Sequence, residues 1–227
     1  MLRKNNILRF KTIESTNNFL KENYEKVENG TVVVADIQTK GRGRLGRTWV
    51  SKKGGLWFSI LIKKDIKKPS FYTKLSSISI ISILKRLKIN AKIKWPNDIY
   101  VNSKKLSGIL TEAVTVNNNI KCIIIGIGIN VNNETPENGV SLSNLLKERL
   151  SLDFLLEQFI KEFNKNYYHY RNLPFLLNLK WKKNLTFRKR NFVNGYKILK
   201  IKPEYLIVKK GKITLKINSI HKLEKER

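Results

Sequence analysis

Residues Gly41-Arg42-Gly43-Arg44-Leu45-Gly46-Arg47 put three glycines and three arginines within seven positions. Glycine lets the backbone take positive φ and approach a ligand closely. Arginine brings a permanently charged planar fork that matches carboxylates and phosphates. Together they describe a loop built to close over an anion. The spacing also satisfies G-x-G-x-x-G, the dinucleotide fingerprint, which needs a strand before it and a helix after it. The strand is available in Thr31-Val32-Val33-Val34-Ala35. The helix is not: Arg47 leads into Trp49, Val50, Ser51, two lysines, Gly54-Gly55 and then the β-like run Leu56–Ile62. The dinucleotide reading therefore fails on context. The plain alternative is a solvated basic hairpin loop.

Other polar groups stand at element ends. Ser15 or Thr16 is a good N-cap for a short helix carrying Phe19, Leu20 and Tyr24, and the hydroxyls and free amides of a helix start also suit a polar or anionic group. Gln38 lies three residues before Gly41, at the base of the loop. Trp95-Pro96-Asn97-Asp98 interrupts a strand pattern, with Asn97 and Asp98 as ordinary turn formers. Lys105 is expected at a strand start after the turn Asn102-Ser103-Lys104-Lys105, near Asp98 across a hairpin. Gly126 and Gly128 interrupt the apolar run Ile120–Ile129 before Asn130, and glycine inside such a strand often marks close approach by a ligand.

The elements that must position these groups follow from periodicity. Strands are expected over Ile7–Ile13, Thr31–Gln38, Leu56–Ile62, Ala91–Trp95, Ile99–Val101, Leu106–Val114 and Ile120–Ile129. Leu56–Ile62 is apolar on both faces and suits a central position. Helices are expected over Ser70–Lys88, Ser141–Leu150, Ser151–Leu173 and Pro174–Lys183, with caps at Ser141 and at Ser151 or Asp153. The aromatic stripe Phe154, Phe159, Phe163, Tyr167 and Tyr170 reads as core packing rather than a base-stacking platform. Beyond residue 183 short alternating strands turn at Pro203-Glu204 and Gly211, the pattern of a small β-barrel. This divides the chain into residues 1–183 and 184–227.

The totals exclude several classes. The chain has 227 residues and no apolar run long enough to span a bilayer, and its start leads into no signal-peptide core. One cysteine, Cys122, allows no internal disulfide, and with only His169 and His221 beside it the usual zinc sets cannot form. Cys122 is expected to be buried and inert, in a reducing, cytoplasmic setting. Net charge is +29, from 46 basic and 17 acidic side chains, and residues 180–227 carry +13 of it. That favours an anionic partner, although scattered lysine is more often a solvated surface.

The separated motifs Glu14-Ser15-Thr16-Asn17, Gln38, Gly41–Arg47 with Trp49 and Ser51, Lys94-Trp95-Pro96-Asn97-Asp98, Lys105-Leu106-x-Gly108-Ile109-Leu110-x-Glu112 and Gly126-x-Gly128-Ile129-Asn130 resemble, in this order, those of the biotin–protein ligases. The resemblance covers residues 7 to 133. It implies an α+β fold, a mixed β-sheet backed by helices like the class II aminoacyl-tRNA synthetase core, with a small C-terminal SH3-like β-barrel. It implies the substrates ATP and biotin, Mg²⁺, a biotinyl-5′-AMP intermediate, and transfer to one lysine of a biotin carboxyl carrier protein. Lys105 and Arg44 are then the catalytic candidates. Ser15, Thr16, Asn17, Gln38, Arg42, Gly43, Arg44 and Lys105 fall on the biotin side. Arg47, Trp49, Asn97, Asp98 and Asn130 fall on the adenylate side, with Trp49 near the adenine. Asp98 is a further candidate for deprotonating the acceptor lysine or binding Mg²⁺, and no residue set is assigned to a protein-held metal.

Water would destroy the activated acyl group of biotinyl-5′-AMP, so a loop that orders over it is expected to be mobile when empty and closed when loaded. The first motif begins at Ser15, so a form without an N-terminal helix-turn-helix, and without operator binding, is expected. No membrane association is expected, and a homodimer is compatible. Lys216 and Lys222 are the positions from which the last segment could reach the adenylate, and neither is assigned. The rival readings are a lipoate or octanoate transferase of the same fold, whose arginine- and glycine-rich signature is absent, and a basic RNA-binding protein without catalysis.

Overall fold

The structure, a computed structural model, describes residues 2–3, 5–187 and 191–223, without the side chains of residues 221 and 222. Strands β1 (Ile7–Ile13), β2 (Val32–Gln38), β3 (Leu56–Ile62), β4 (Lys92–Lys94), β5 (Asp98–Val101), β6 (Lys104–Val116) and β7 (Asn119–Ile129) form one sheet in the order β1-β2-β3-β7-β6-β5-β4. β1 and β2 are parallel, joined by helix α1 (Thr16–Asn23), and every other neighbour pair is antiparallel. The sheet is therefore mixed, as expected. β3 is buried at every position, which fits a strand covered on both faces.

Alternation along each strand sends successive side chains to opposite faces. On one face Val32, Val34, Phe58, Ile60, Ile123 and Ile125 join the main core. Helices α2 (Pro69–Arg86) and α4 (Leu152–Tyr170) cover this face. Phe159 meets Phe58 with ring centroids 5.0 Å apart, Thr73 donates to Thr111 at 2.9 Å, and Arg86 pairs with Glu162 at 2.6 Å. On the opposite face Leu20 of α1 packs with Val33, Leu61, Cys122 and Ile124. Cys122 is buried and free, and burial raises its thiol pKa.

Two expectations change. The helix expected over Ser141–Leu150 is only α3 (Leu142–Leu146), ended by Lys147 at φ 62°. Asn132 explains the early stop: its amide accepts from Leu150 N at 3.0 Å and donates to Leu150 O at 2.8 Å, holding Leu150 beside the β7 exit. Phe154 leaves the aromatic stripe and is 55% exposed. It precedes Phe159 by five positions, about 140° around a helix, whereas Phe159, Phe163, Tyr167 and Tyr170 recur every three or four and are buried.

After α5 (Pro174–Lys183) the chain adds a four-stranded antiparallel sheet from β8 (Phe192–Val193), β9 (Tyr196–Ile201), β10 (Leu206–Lys210) and β11 (Ile213–Ile217), in the order β11-β10-β9-β8. It is tied to the first sheet. Trp95 Nε1 donates to Lys202 O at 2.8 Å, and Ile93 exchanges backbone bonds with Asn184 and Thr186 at 2.8 and 2.9 Å. Among the described residues no helix is long and apolar enough to cross a membrane.

Candidate functional site

The face that carries α1 changes character halfway along. On β7 the side chains at 122 and 124 are apolar, while 126 and 128 on the same face are glycines. Gly128 pairs with Gly108 on one side and Trp57 on the other, and Gly108 pairs with Asp98. One row of the sheet thus reads Trp57, Gly128, Gly108, Asp98, a shallow floor with a carboxylate at its end. The next row reads Ser59, Gly126, Leu110. Over this floor lies a cavity of about 280 Å³. The glycines are kept small by the protein's own side chains. A Cβ at Gly126 would collide with the Asn17 amide, and one at Gly128 with the Trp49 indole. The close approach expected of a ligand is, in this structure, made by Asn17 and Trp49.

One end of the cavity is a hydrogen-bonded network of neutral groups. Ser15 caps α1, accepting from Asn18 N at 3.4 Å, so the cap reading holds and places Thr16 and Asn17 at the cavity wall. Thr16 N donates to Gln38 Oε1 at 2.9 Å, and the Thr16 hydroxyl lies 3.0 Å from the same oxygen and 2.6 Å from Ser59 Oγ. Ser59 Oγ donates to Asn17 Oδ1 at 2.5 Å, and Asn17 Nδ2 donates to Glu112 Oε2 at 2.8 Å. Gln38 Nε2 donates to Ser51 Oγ at 2.8 Å, which ties this end to the base of the loop. Thr16, Asn17 and Ser59 are each at least 96% buried, so such bonds are what keeps them there.

The loop arches over the cavity as a narrow hairpin. Gln38 bridges Ser51, Arg42 bridges Thr48, Trp49 N donates to Gly41 O at 2.9 Å and Gly43 N to Arg47 O at 2.7 Å. Residues Arg44–Gly46 make one 3₁₀ turn in which Leu45 has φ 57°. The hairpin reading is right in form, and Leu45 and Val50 are exposed, but two of the arginines are engaged by protein groups. Arg42 donates to both oxygens of Glu112 at 2.8 and 3.1 Å. Arg44 donates to Asn97 Oδ1 at 3.1 Å and to the carbonyl of Asn218, beyond β11, at 3.2 Å. Asn97 in turn donates to Ile109 O at 2.7 Å.

The other end is cationic. Lys105 Nζ pairs with Asp98 Oδ2 at 2.7 Å and sits 5.0 Å above the centroid of Trp49. The Lys105 backbone is held on three sides, by Asn138 O at 2.8 Å, Val140 N at 3.0 Å and Asn130 Nδ2 at 3.2 Å. Arg44, Arg47, Lys94 and Lys105 all line this end, where Asp98 is the one lining carboxylate among the described residues. Burial lowers the Arg44 pKa, Asp98 opposes the shift, and Arg47 adds to it by repulsion. Burial foremost, then Asp98, raises the Tyr100 pKa, with Lys105 and Arg47 opposing. An anion entering here would meet an Arg44 guanidinium that is already partly desolvated.

The structure brings Ser15, Thr16, Asn17, Gln38, Arg42, Gly43, Arg44, Arg47, Trp49, Asn97, Asp98 and Lys105 to one cavity. Asn130 does not line it: 5% exposed, it accepts from Asn133 and holds the Lys105 carbonyl from behind. Lys216 lies over the Tyr205 ring at 4.4 Å, on the small sheet, and the Lys222 side chain lies outside the described residues. Sequence reading gave no role to Ser59 or Glu112. Each had a signal: Ser59 is the one polar residue of an otherwise apolar β3, and Glu112 shares the strand parity of Gly108. Among the described residues no group of three His, Cys, Asp or Glu could hold a metal ion.

Residues 9–130 match the Biotin/lipoate A/B protein ligase family. Among curated relatives, the Bifunctional ligase/repressor BirA of Bacillus subtilis (strain 168) is 40% identical over 152 residues, covering 62% of this chain and 47% of the relative. Biotin--protein ligase 2 of Arabidopsis thaliana is 32% identical over 183 residues, covering 69% and 55%. The chain thus spans about half the length of the curated relatives it matches. Among solved structures, the biotin protein ligase from Aquifex aeolicus in complex with biotin and ATP superposes with a TM-score of 0.77 at 28% identity, covering 94% of this chain and 96% of that one. With the ordered motifs assembled in one groove and more than half the chain matched, the protein belongs to the Biotin/lipoate A/B protein ligase family.

Proposed function

We propose that this chain activates biotin with ATP as biotinyl-5′-AMP and passes the biotinyl group to a lysine of a biotin carboxyl carrier protein. The observation that carries the reading is the position of Lys105. Its ammonium stands over the glycine floor between a neutral, hydrogen-bonding end and a cationic end, held by Asp98 at 2.7 Å. Biotin has a ureido ring with two N–H groups and a carbonyl, joined by an aliphatic chain to a carboxylate. The ring suits Thr16, Asn17 and Gln38, and the chain then brings the carboxylate to Lys105. A dithiolane ring offers no such donors or acceptor and would leave that network unmatched, which favours biotin over lipoate.

In the first step a carboxylate oxygen of biotin attacks the α-phosphorus of ATP. The bond to the β-bridging oxygen breaks and pyrophosphate leaves with the electron pair. Two anions must meet, so fixed positive charge between them lowers the barrier. Lys105 and Arg44 supply it, Lys105 exchanging Asp98 for the substrate carboxylate. Arg47, Asn97 and Trp49 serve the nucleotide, and the arch of residues 41–51 keeps water from the mixed anhydride. Mg²⁺ would serve as the counter-ion of the triphosphate, since among the described residues Asp98 is the one lining carboxylate and is already paired with Lys105.

In the second step the acceptor amine attacks the acyl carbon, AMP leaves, and the amine proton passes to a base. Asp98 is the carboxylate in place to take it. In this scheme residues 1–183 form the catalytic unit and 184–227 a small β domain that supports the arch through the Asn218 carbonyl. The test is incubation with ATP, Mg²⁺, biotin and a biotin carboxyl carrier domain. The expected outcome is an avidin-reactive carrier and biotin-dependent pyrophosphate release, both absent without ATP. Release with lipoate but not biotin would overturn the reading.

A further inference from the structure

We propose that Glu112 is a positioning residue: as an acceptor-only anion it sets the direction of the side-chain relay through Asn17, Ser59 and Thr16 at the neutral end of the groove, and the same carboxylate latches the arginine arch through Arg42. This deepens the functional reading above and rests on it for the identity of the ring that is recognised.

The argument is one of proton counting. An ionised carboxylate can only accept. Glu112 Oε2 therefore requires the Nδ2 side of Asn17 to face it, at 2.8 Å. That orientation turns Asn17 Oδ1 toward Ser59, so Ser59 must donate, at 2.5 Å. Ser59 has one proton and has now used it, so in the 2.6 Å contact with Thr16 the threonine hydroxyl must donate. Gln38 Oε1 accepts from the Thr16 backbone N–H at 2.9 Å, and the Thr16 hydroxyl, 3.0 Å from it, shares its proton between Ser59 and this oxygen. From Thr16 through Ser59 and Asn17 the side-chain protons run toward Glu112, while Gln38 donates the other way, to Ser51. Left unused are a lone pair on the Thr16 hydroxyl, one N–H of Asn17 and one N–H of Gln38, a mixed set that complements a ureido ring. If the Asn17 amide turned over, Ser59 would become an acceptor and the sense of the chain would be lost.

Glu112 sits where no solvent-exposed carboxylate could do this. Its side chain is 25% exposed, and it lies on the site face of β6, four residues beyond Gly108. Its second partner is Arg42, 70 positions earlier in the chain, bound through both oxygens. One carboxylate therefore joins the inner wall of the cavity to the arch above it. Ordering of Asn17 by a bound ring and closure of the arch become one event, because both act on the same two oxygens.

The test is Glu112→Gln, close in shape but able to present either an oxygen or an N–H to Asn17. Glu134→Gln, which removes an exposed acid that does not line the groove, is the control. Hydrogen exchange of residues 41–49 without substrates is expected to speed up about tenfold in Glu112→Gln and not in Glu134→Gln. The KM for biotin in pyrophosphate release is expected to rise about tenfold, with kcat changed less than threefold. The preference for biotin over 2-iminobiotin, which presents N–H where biotin presents the carbonyl, is expected to shrink by a similar factor. Arg42→Ala combined with Glu112→Gln should speed loop exchange no more than either alone.

If the unsubstituted protein turns over biotin while Glu112→Gln leaves loop exchange, KM and ring preference unchanged, the inference is wrong. If the unsubstituted protein turns over no biotin, the functional reading fails instead, and the exchange measurement still decides whether Glu112 latches the arch. Thermal unfolding of both variants separates these outcomes from misfolding.

Discussion

The two ends of the groove handle polarity in opposite ways. At the neutral end Thr16, Asn17, Gln38, Ser51 and Ser59 satisfy one another and finish on Glu112, so little is left to reorganise when a ligand arrives. At the cationic end Arg44, Lys94 and Lys105 face one lining carboxylate among the described residues, Asp98. These groups hold more positive than negative charge, and an incoming anion would offset it. The difference teaches how one cavity can recognise a ring by geometry and a phosphate by charge. Complete networks give specificity, because a wrong group leaves buried donors unpaired. Incomplete charge gives rate, because stabilisation is held for the charge that develops during transfer.

The comparison can be broken at its charged end first. Lys105→Ala is expected to lower biotin-dependent pyrophosphate release on the order of 10²–10³-fold, the scale of removing one preorganised charge stabiliser. Thermal stability should barely move, since the Lys105 backbone bonds to Asn138, Val140 and Asn130 do not involve its side chain. An unchanged rate, measured under saturating substrates, would show that charge is not what this end contributes.

Ser59→Ala sharpens the neutral end. It strands Asn17 Oδ1 in a buried wall and leaves the Thr16 hydroxyl only Gln38, so destabilisation of about 1–3 kcal/mol is expected in denaturant unfolding. The KM for biotin should rise about tenfold and kcat change little, the reverse of the Lys105→Ala pattern. A fall in kcat alone would erase the distinction between the ends.

The smallest effect tests whether incomplete charge belongs only in the groove. Lys74 on α2 is 8% exposed and lies outside the cavity. Burial lowers its pKa, Glu204 opposes the shift, and Lys182 and Lys202 add to it. Its folded pKa is thus below its ordinary value of 10.5, so the folded state binds fewer protons between the two. Stability should therefore rise as pH increases through that window. Lys74→Met should flatten this rise and stabilise the protein near neutrality, by on the order of 1 kcal/mol or about 2–4 °C. Calorimetry from pH 7 to 10 on both proteins measures it.

Much of this was legible before any coordinates. The caps at Ser15, Ser141 and Ser151 are local, set by side chains that reach their own backbone three residues on, and all three are made. Strand parity placed Asp98 and Lys105 across one hairpin, and they meet at 2.7 Å. Local reasoning failed where a distant partner decides. Helix α3 stops early because Asn132 claims Leu150. Asn130 turns away from the groove because the Lys105 carbonyl and Asn133 need it.

Residue types, their spacing and their periodicity determined the loop of alternating glycine and arginine, the strands flanking it, the glycine interruptions at 126 and 128, and the family that their order resembles. Those are properties of short stretches and of their sequence along the chain. Only the folded arrangement decided that Glu112 answers both Asn17 and Arg42, that Ser59 lies between Thr16 and Asn17, and that Asn218 steadies Arg44 from the second sheet. A side chain's type gives its capacity to donate or accept. Which partner takes up that capacity depends on register and packing across dozens of residues, and that is settled only when the whole sheet closes.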